Sequence, residues 1–228
     1  MIPTAVIAVI ALACFLYSAD YYRADERAEK ALQSDEVVIE KTDYGWFFDG
    51  PAEDAVLVFY PGGTVEETAY APLLHRLAER EMDVCLIKMP LHLAVLDMNA
   101  ADDLRNRYDY ENWYIGGHSL GGAVAANYAA VHDLDGVILL ASYPTKAVDE
   151  PMLLLYGSED GVLNRERVEE AGQYGEITEV VIEGGNHAGY GDYGRQKGDN
   201  GAGISREEQQ QAVLDAVENW LKGKSVKD

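Results

Sequence analysis

Three residues in this chain have the types and order needed for nucleophilic catalysis: Ser119, Asp160 and His187. An alcohol is a poor nucleophile at neutral pH. It needs a general base within hydrogen-bond reach and a third group to orient that base. Ser119 lies in Gly117-His118-Ser119-Leu120-Gly121-Gly122, between the apolar run Trp113–Gly116 and the helix-compatible run Ala123–Ala130. Strand, tight turn and helix are the context in which a G-x-S-x-G serine is exposed for attack. The flanking glycines permit the strained, close-packed backbone of such a turn. The same residues also suit a plain glycine-rich turn with a serine N-cap. Asp160 ends the polar turn Gly157-Ser158-Glu159-Asp160 after the apolar run Met152–Tyr156. His187 ends Gly184-Gly185-Asn186-His187 after Val180–Ile182. His187 is the one histidine after the candidate acid, so it is the expected base. Asp160, followed by Gly161, is preferred over neighbouring Glu159 as its orienter.

A tetrahedral intermediate also needs donors aimed at its oxyanion. The Leu120 N–H at the start of the predicted helix is one candidate. The loop Pro61-Gly62-Gly63-Thr64, after the apolar strand Ala55–Tyr60, offers Gly63 first and Thr64 second. His118, His92, Tyr190 and Tyr193 are the candidate substrate contacts. No cofactor or metal is expected, and the two cysteines, Cys14 and Cys85, support neither a disulfide framework nor a metal site.

The elements that must hold these residues follow from periodicity. Short strands are expected at 36–41, 44–48, 84–89, 112–116, 137–141, 152–156 and 179–182, with a buried strand at 55–60. Helices are expected at 68–80, 93–108, 121–132 and 206–222. Alternation of this kind predicts an α/β fold with a mostly parallel central sheet and helices on both faces. The length of 228 residues suits one domain at 36–224, preceded by a charged, helix-prone connector at 23–35 and an apolar segment at 1–22. Residues 2–19 are near bilayer-spanning length, with Tyr17, Tyr21 and Tyr22 suited to an interface. The absence of a basic n-region and a clear cleavage site favours an uncleaved anchor over a signal peptide. A net charge of −22 argues against nucleic-acid partners. The scattered acid reads as a solvated surface.

With Phe59-Tyr60-Pro61-Gly62-Gly63, Lys88-Met89-Pro90-Leu91, the serine motif, Tyr156-Gly157-Ser158-Glu159-Asp160 and Gly184-Gly185-Asn186-His187 in this order, the sequence resembles an α/β-hydrolase. It is similar to the single-domain, capless bacterial fold-5 type that carries an apolar N-terminal leader. The resemblance implies an α/β-hydrolase fold without a cap, a Ser-His-Asp triad and an extracytoplasmic domain behind a membrane anchor. This chain departs from the pattern in lacking Lys or Arg before the apolar run. The expected activity is serine hydrolysis of a small ester or related acyl substrate through an acyl-enzyme. An acyltransferase with the same triad, or an idle surface-tethered binding module, are the alternatives. The connection 142–151 is too short for a helical lid, and the long glycine-rich loop 188–205 is expected to wall the substrate site.

Overall fold

The computed structural model describes residues 20–33, 37–51, 54–80 and 82–225. The proposed anchor at 2–19 lies outside them, and among the described residues no helix is long and apolar enough to cross a membrane.

Eight strands form one sheet: β1 (Val38–Lys41), β2 (Gly45–Asp49), β3 (Ala55–Tyr60), β4 (Asp83–Ile87), β5 (Asn112–His118), β6 (Gly136–Leu140), β7 (Met152–Gly157) and β8 (Ile177–Ile182). Their spatial order is β1-β2-β4-β3-β5-β6-β7-β8. The pairs β1–β2 and β2–β4 are antiparallel, and every later pair is parallel. Strands β3, β6 and β7 are apolar runs because both faces are covered, as parallel sheets require. Alternate residues feed two cores. Leu57 and Phe59 of β3 and Leu153 and Leu155 of β7 enter one. Val56, Val58 and Tyr60, with Met152 and Leu154, enter the other.

Helices close both cores. On the first face lie α1 (Glu26–Ala31), α2 (Ala71–Ala78) and α6 (Arg206–Ser225). Leu73, Leu74 and Leu77 of α2 meet Val213, Leu214, Val217 and Trp220 of α6 over the sheet. The second face is covered by α3 (Ala100–Arg107), α4 (Leu120–Ala129) and the short α5 (Arg165–Glu169). Burial of these apolar surfaces, at about 25 cal/mol per Å² removed from water, is the main term holding the layers together. Among the described residues no cap domain interrupts them, and the connection from β6 to β7 contains no helix.

Two expectations are corrected. The helix read over 93–108 is only Ala100–Arg107. Ahead of it Pro90–His92 and Ala94–Leu96 form two 3₁₀ turns, broken by positive φ at Leu91 and His92. The helix-prone connector at 23–35 contains α1, and its described residues pack on the domain. Tyr22 pairs with Val65, Asp25 caps α1 through its carboxylate, and Ala28 is completely buried. The loop 188–205 does not stand outside the core as a wall. Its first third, Ala188–Tyr193, is buried.

Candidate active site

The carboxyl ends of β5, β7 and β8 carry Ser119, Asp160 and His187, the edge where open α/β sheets bind ligands. Ser119 joins β5 to α4 with φ 51° and ψ −121°, a conformation costly for a residue with a Cβ. Its N–H is held by the Leu140 carbonyl at 2.9 Å, and its carbonyl accepts the Ala123 N–H at 3.1 Å. The turn is so tight that its neighbours admit no side chain. A Cβ on Gly117 would lie 2.5 Å from the Tyr60 carbonyl oxygen, and one on Gly121 2.2 Å from the same atom. That crowding places the first turn of α4 directly behind the serine. Ser119 itself is half-buried.

His187 is 1% exposed, and its Nδ1 lies 2.8 Å from Asp160 Oδ2. The other carboxylate oxygen, Oδ1, accepts the Val162 and Leu163 N–H groups, each at 2.8 Å. Burial pushes the Asp160 carboxyl up. The His187 hydrogen bond and charge, with those two backbone donors, outweigh it and hold the group below its ordinary value. An ionised Asp160 accepts only, so Nδ1 carries the proton and Nε2 is the free base. Nε2 is buried and has no hydrogen-bond partner among the described residues. An imidazole held in one tautomer with its bare nitrogen unengaged is equipped to take a proton from an alcohol.

The turns bearing acid and base are stitched together. The Glu159 N–H donates to the Gly185 carbonyl at 2.8 Å, and the Gly184 N–H to Ser158 Oγ at 2.8 Å. Asp199, from the 188–205 loop, adds a clasp that sequence reasoning missed. Its Oδ1 accepts Gly161 N–H at 3.1 Å and His187 N–H at 3.2 Å, while Oδ2 accepts Ala188 N–H at 2.9 Å. The signal for it was only an acid in a long glycine-rich loop.

Of the two loop donors named for the oxyanion, Thr64 is withdrawn. Its N–H is engaged by the His92 carbonyl at 2.8 Å. Gly63 N–H has no partner among the described residues, and Gly63 packs on Leu120, where a Cβ would come 2.9 Å from Leu120 Cδ2. Leu120 is the first residue of α4, so its N–H has no intrahelical acceptor. The helix dipole adds positive potential there.

The four expected substrate contacts separate. His92 is half-buried at the rim, its ring stacked on Tyr21 at 4.0 Å. Burial lowers its imidazole pKa, and Glu67 and Glu66 oppose that shift. Tyr190 (0% exposed) and Tyr193 (6%) are corrected to core residues, packed in the first hydrophobic cluster because their rings bury more favourably than they would line water. His118 is likewise enclosed at 0% exposure with both ring nitrogens bonded, which leaves it no atom for a substrate.

The comparisons agree with this architecture. Among curated proteins, none matches the chain. Solved structures do. Dienelactone hydrolase from Anabaena variabilis is 14% identical with a TM-score of 0.58, over 80% of this chain and 96% of its own. A serine hydrolase involved in carbazole degradation, the CarC enzyme, is 11% identical with a TM-score of 0.58, over 80% and 99%. Est1E from Butyrivibrio proteoclasticus is 17% identical with a TM-score of 0.55, over 82% and 99%. At these identities the likeness is one of fold. The profile of the alpha/beta hydrolase family matches residues 56–211, from the second residue of β3 into α6 and across all three candidate residues, and the chain belongs to that family.

Proposed function

We propose that the chain is a serine hydrolase of acyl esters. Ser119 Oγ attacks the ester carbonyl while His187 Nε2 takes its proton. Asp160 holds the tautomer and stabilises the imidazolium. The N–H groups of Gly63 and Leu120 receive the oxyanion. His187 then returns the proton to the leaving alcohol, and water repeats the sequence to release the acid. The observation that carries this reading is the buried Asp160–His187 pair at 2.8 Å with Nε2 unpartnered, beside a serine at φ 51°.

The short connection between β6 and β7 supports short acyl groups. Each buried methylene adds about 0.8 kcal/mol, but only where a wall covers it. The loop tyrosines are in the core and supply none. Hydrolysis of p-nitrophenyl esters should therefore stop gaining in kcat/KM after a few carbons. Ser119→Ala should lose on the order of 10⁶ in kcat, the scale for a lost triad serine. A mutant as active as the parent would refute the assignment.

The reading includes tethering to a membrane through residues 2–19, with the domain outside the cytoplasm. The tether is supported by the apolar run itself and by the position of the residues after it, and the side of the membrane by the family likeness. Tyr22 pairs with Val65 and Tyr21 stacks on His92, at the active-site rim where Leu91, Val95, Leu96 and Met98 are exposed. Fractionation with N-terminal sequencing checks it: the intact chain is expected in the membrane fraction. A soluble chain that starts after Ala19 would show that the run is a signal peptide.

A further inference from the structure

His118 stands beside the nucleophile and takes no step in the chemistry above, yet it is wholly buried and fully bonded. Tyr70, also 0% exposed, places Oη 2.8 Å from His118 Nδ1. The same oxygen accepts the Gly62 N–H at 3.0 Å. On the far side, His118 Nε2 lies 3.1 Å from the backbone carbonyl of His187. A proton inventory fixes the direction of every bond. A carbonyl only accepts, so Nε2 carries hydrogen. Burial first, and the neighbouring His187 second, hold the imidazole well below its usual range, so it is neutral and Nδ1 is bare. Tyr70 Oη–H must then donate to Nδ1. One directed chain runs from Gly62 N–H through Tyr70 and His118 to the main chain of His187.

We propose that Tyr70 and His118 are positioning residues that hold the oxyanion loop and the general base in register about Ser119; the proposal rests on the hydrolase reading above. The end points carry it. Gly62 precedes the Gly63 donor, the other terminus is the residue that bears the base, and His118 is peptide-bonded to the nucleophile. A second observation is independent of the hydrogen bonds. A Cβ on Gly62 would lie 2.7 Å from both His118 Nδ1 and Tyr70 Oη, so the relay itself demands glycine in the oxyanion loop. A third concerns charge. The His118 and His187 ring centroids are 4.6 Å apart. A cationic His118 there would oppose the imidazolium that forms on His187, and the fixed neutral tautomer avoids this. Core filling alone would be served equally well by phenylalanine at both positions, which is what the test examines.

Full-length Tyr70→Phe, His118→Phe and the double variant are compared with the parent. Tyr70→Phe removes one oxygen from a buried ring and keeps its shape. The expected result is a roughly tenfold lower kcat for each single variant with KM unchanged, the scale of one misplaced catalytic hydrogen bond. The double variant should be no worse than His118→Phe, since residues in one network are not additive. Fluorophosphonate inactivation should slow in parallel. Ring-nitrogen NMR of the parent should show His118 as the neutral Nε2–H tautomer from about pH 5 to 8, the range in which an ordinary histidine titrates. Folded single variants with parental kcat, losses that multiply in the double variant, or a His118 that titrates in this range would overturn the proposal. If His118→Phe does not fold, Tyr70→Phe and the NMR decide. A parent whose Ser119 is not labelled would instead remove the hydrolase reading.

Discussion

At Asp160 one carboxylate does two jobs, and its two oxygens divide them. Oδ1 is fixed by the Val162 and Leu163 N–H groups, and Oδ2 is left to hold His187 Nδ1. Asp160→Asn keeps the shape but allows the wrong imidazole tautomer, so kcat should fall about 10⁴-fold, as an isosteric change does at a triad acid. The same residue makes stability depend on pH. Its folded pKa is depressed, so its contribution is complete above the unfolded carboxylate value of about 4 and is lost as pH falls through the folded value. The denaturation midpoints of parent and Asp160→Asn should therefore differ by a constant amount near neutrality and converge below about pH 4. Convergence on the alkaline side instead would contradict the assigned direction. The candidate nucleophile, acid and base were legible in the sequence, because one of each at the end of an apolar strand is a pattern of types and order. The burial of His118 was not. A histidine between Gly117 and Ser119 gives no sign of whether it faces solvent or lies under the elbow, since its partners Tyr70 and His187 are distant in sequence.

The elements show where periodicity suffices and where it fails. Strands β3 to β7 carry apolar runs with turns at each end, and the structure follows those runs to within a residue or two. The segment before α3 did not yield to the same reasoning. Leu93–Leu96 opens the helix expected over 93–108, but Val95 and Leu96 are exposed, and the chain is broken by positive φ at Leu91 and His92. No residue type announces that conformation outside glycine and asparagine. In the 188–205 loop, composition and burial part in the same way. Glycine and polar residues suggest a surface excursion, whereas Tyr190 and Tyr193 drive its first third inward. What remains of it acts as a clasp through Asp199. Asp199→Ala leaves the Gly161, His187 and Ala188 N–H groups without their acceptor and should lower kcat about tenfold, a misplacement effect, with KM little changed. Asp199→Asn retains a carbonyl acceptor and should recover part of the loss. Equal kcat in all three proteins, measured on folded material, would assign Asp199 no part in holding the site.

Over the whole molecule, the N-terminal segment, the 188–205 loop and the last helix are joined at Asp192. Asp192, completely buried, accepts Arg27 Nη1 at 2.9 Å and Arg206 Nη1 at 3.2 Å on Oδ1, and Gln210 Nε2 at 2.8 Å on Oδ2. Its backbone carbonyl takes the Asp25 N–H at 2.8 Å, and its N–H donates to Ala69 at 2.7 Å. Removal of one partner from such a network leaves buried charge uncompensated, which is why a chain with a net charge of −22 keeps arginines here. These bonds tie Asp25 and Arg27 of the N-terminal segment to Asp192 of the loop and, through Arg206 and Gln210, to α6. No such tie was visible in the sequence, where 23–35 is simply charged and helix-prone. The proposed chemistry depends on one event, the formation of a covalent bond at Ser119 Oγ. The purified chain is treated with a fluorophosphonate, digested, and the modified peptide is located by mass spectrometry. The adduct is expected on Ser119 alone, with no labelling of Ser119→Ala and markedly slowed labelling of His187→Ala. An unmodified parent, or a label carried by another residue and retained in Ser119→Ala, would contradict the assignment of Ser119 as nucleophile.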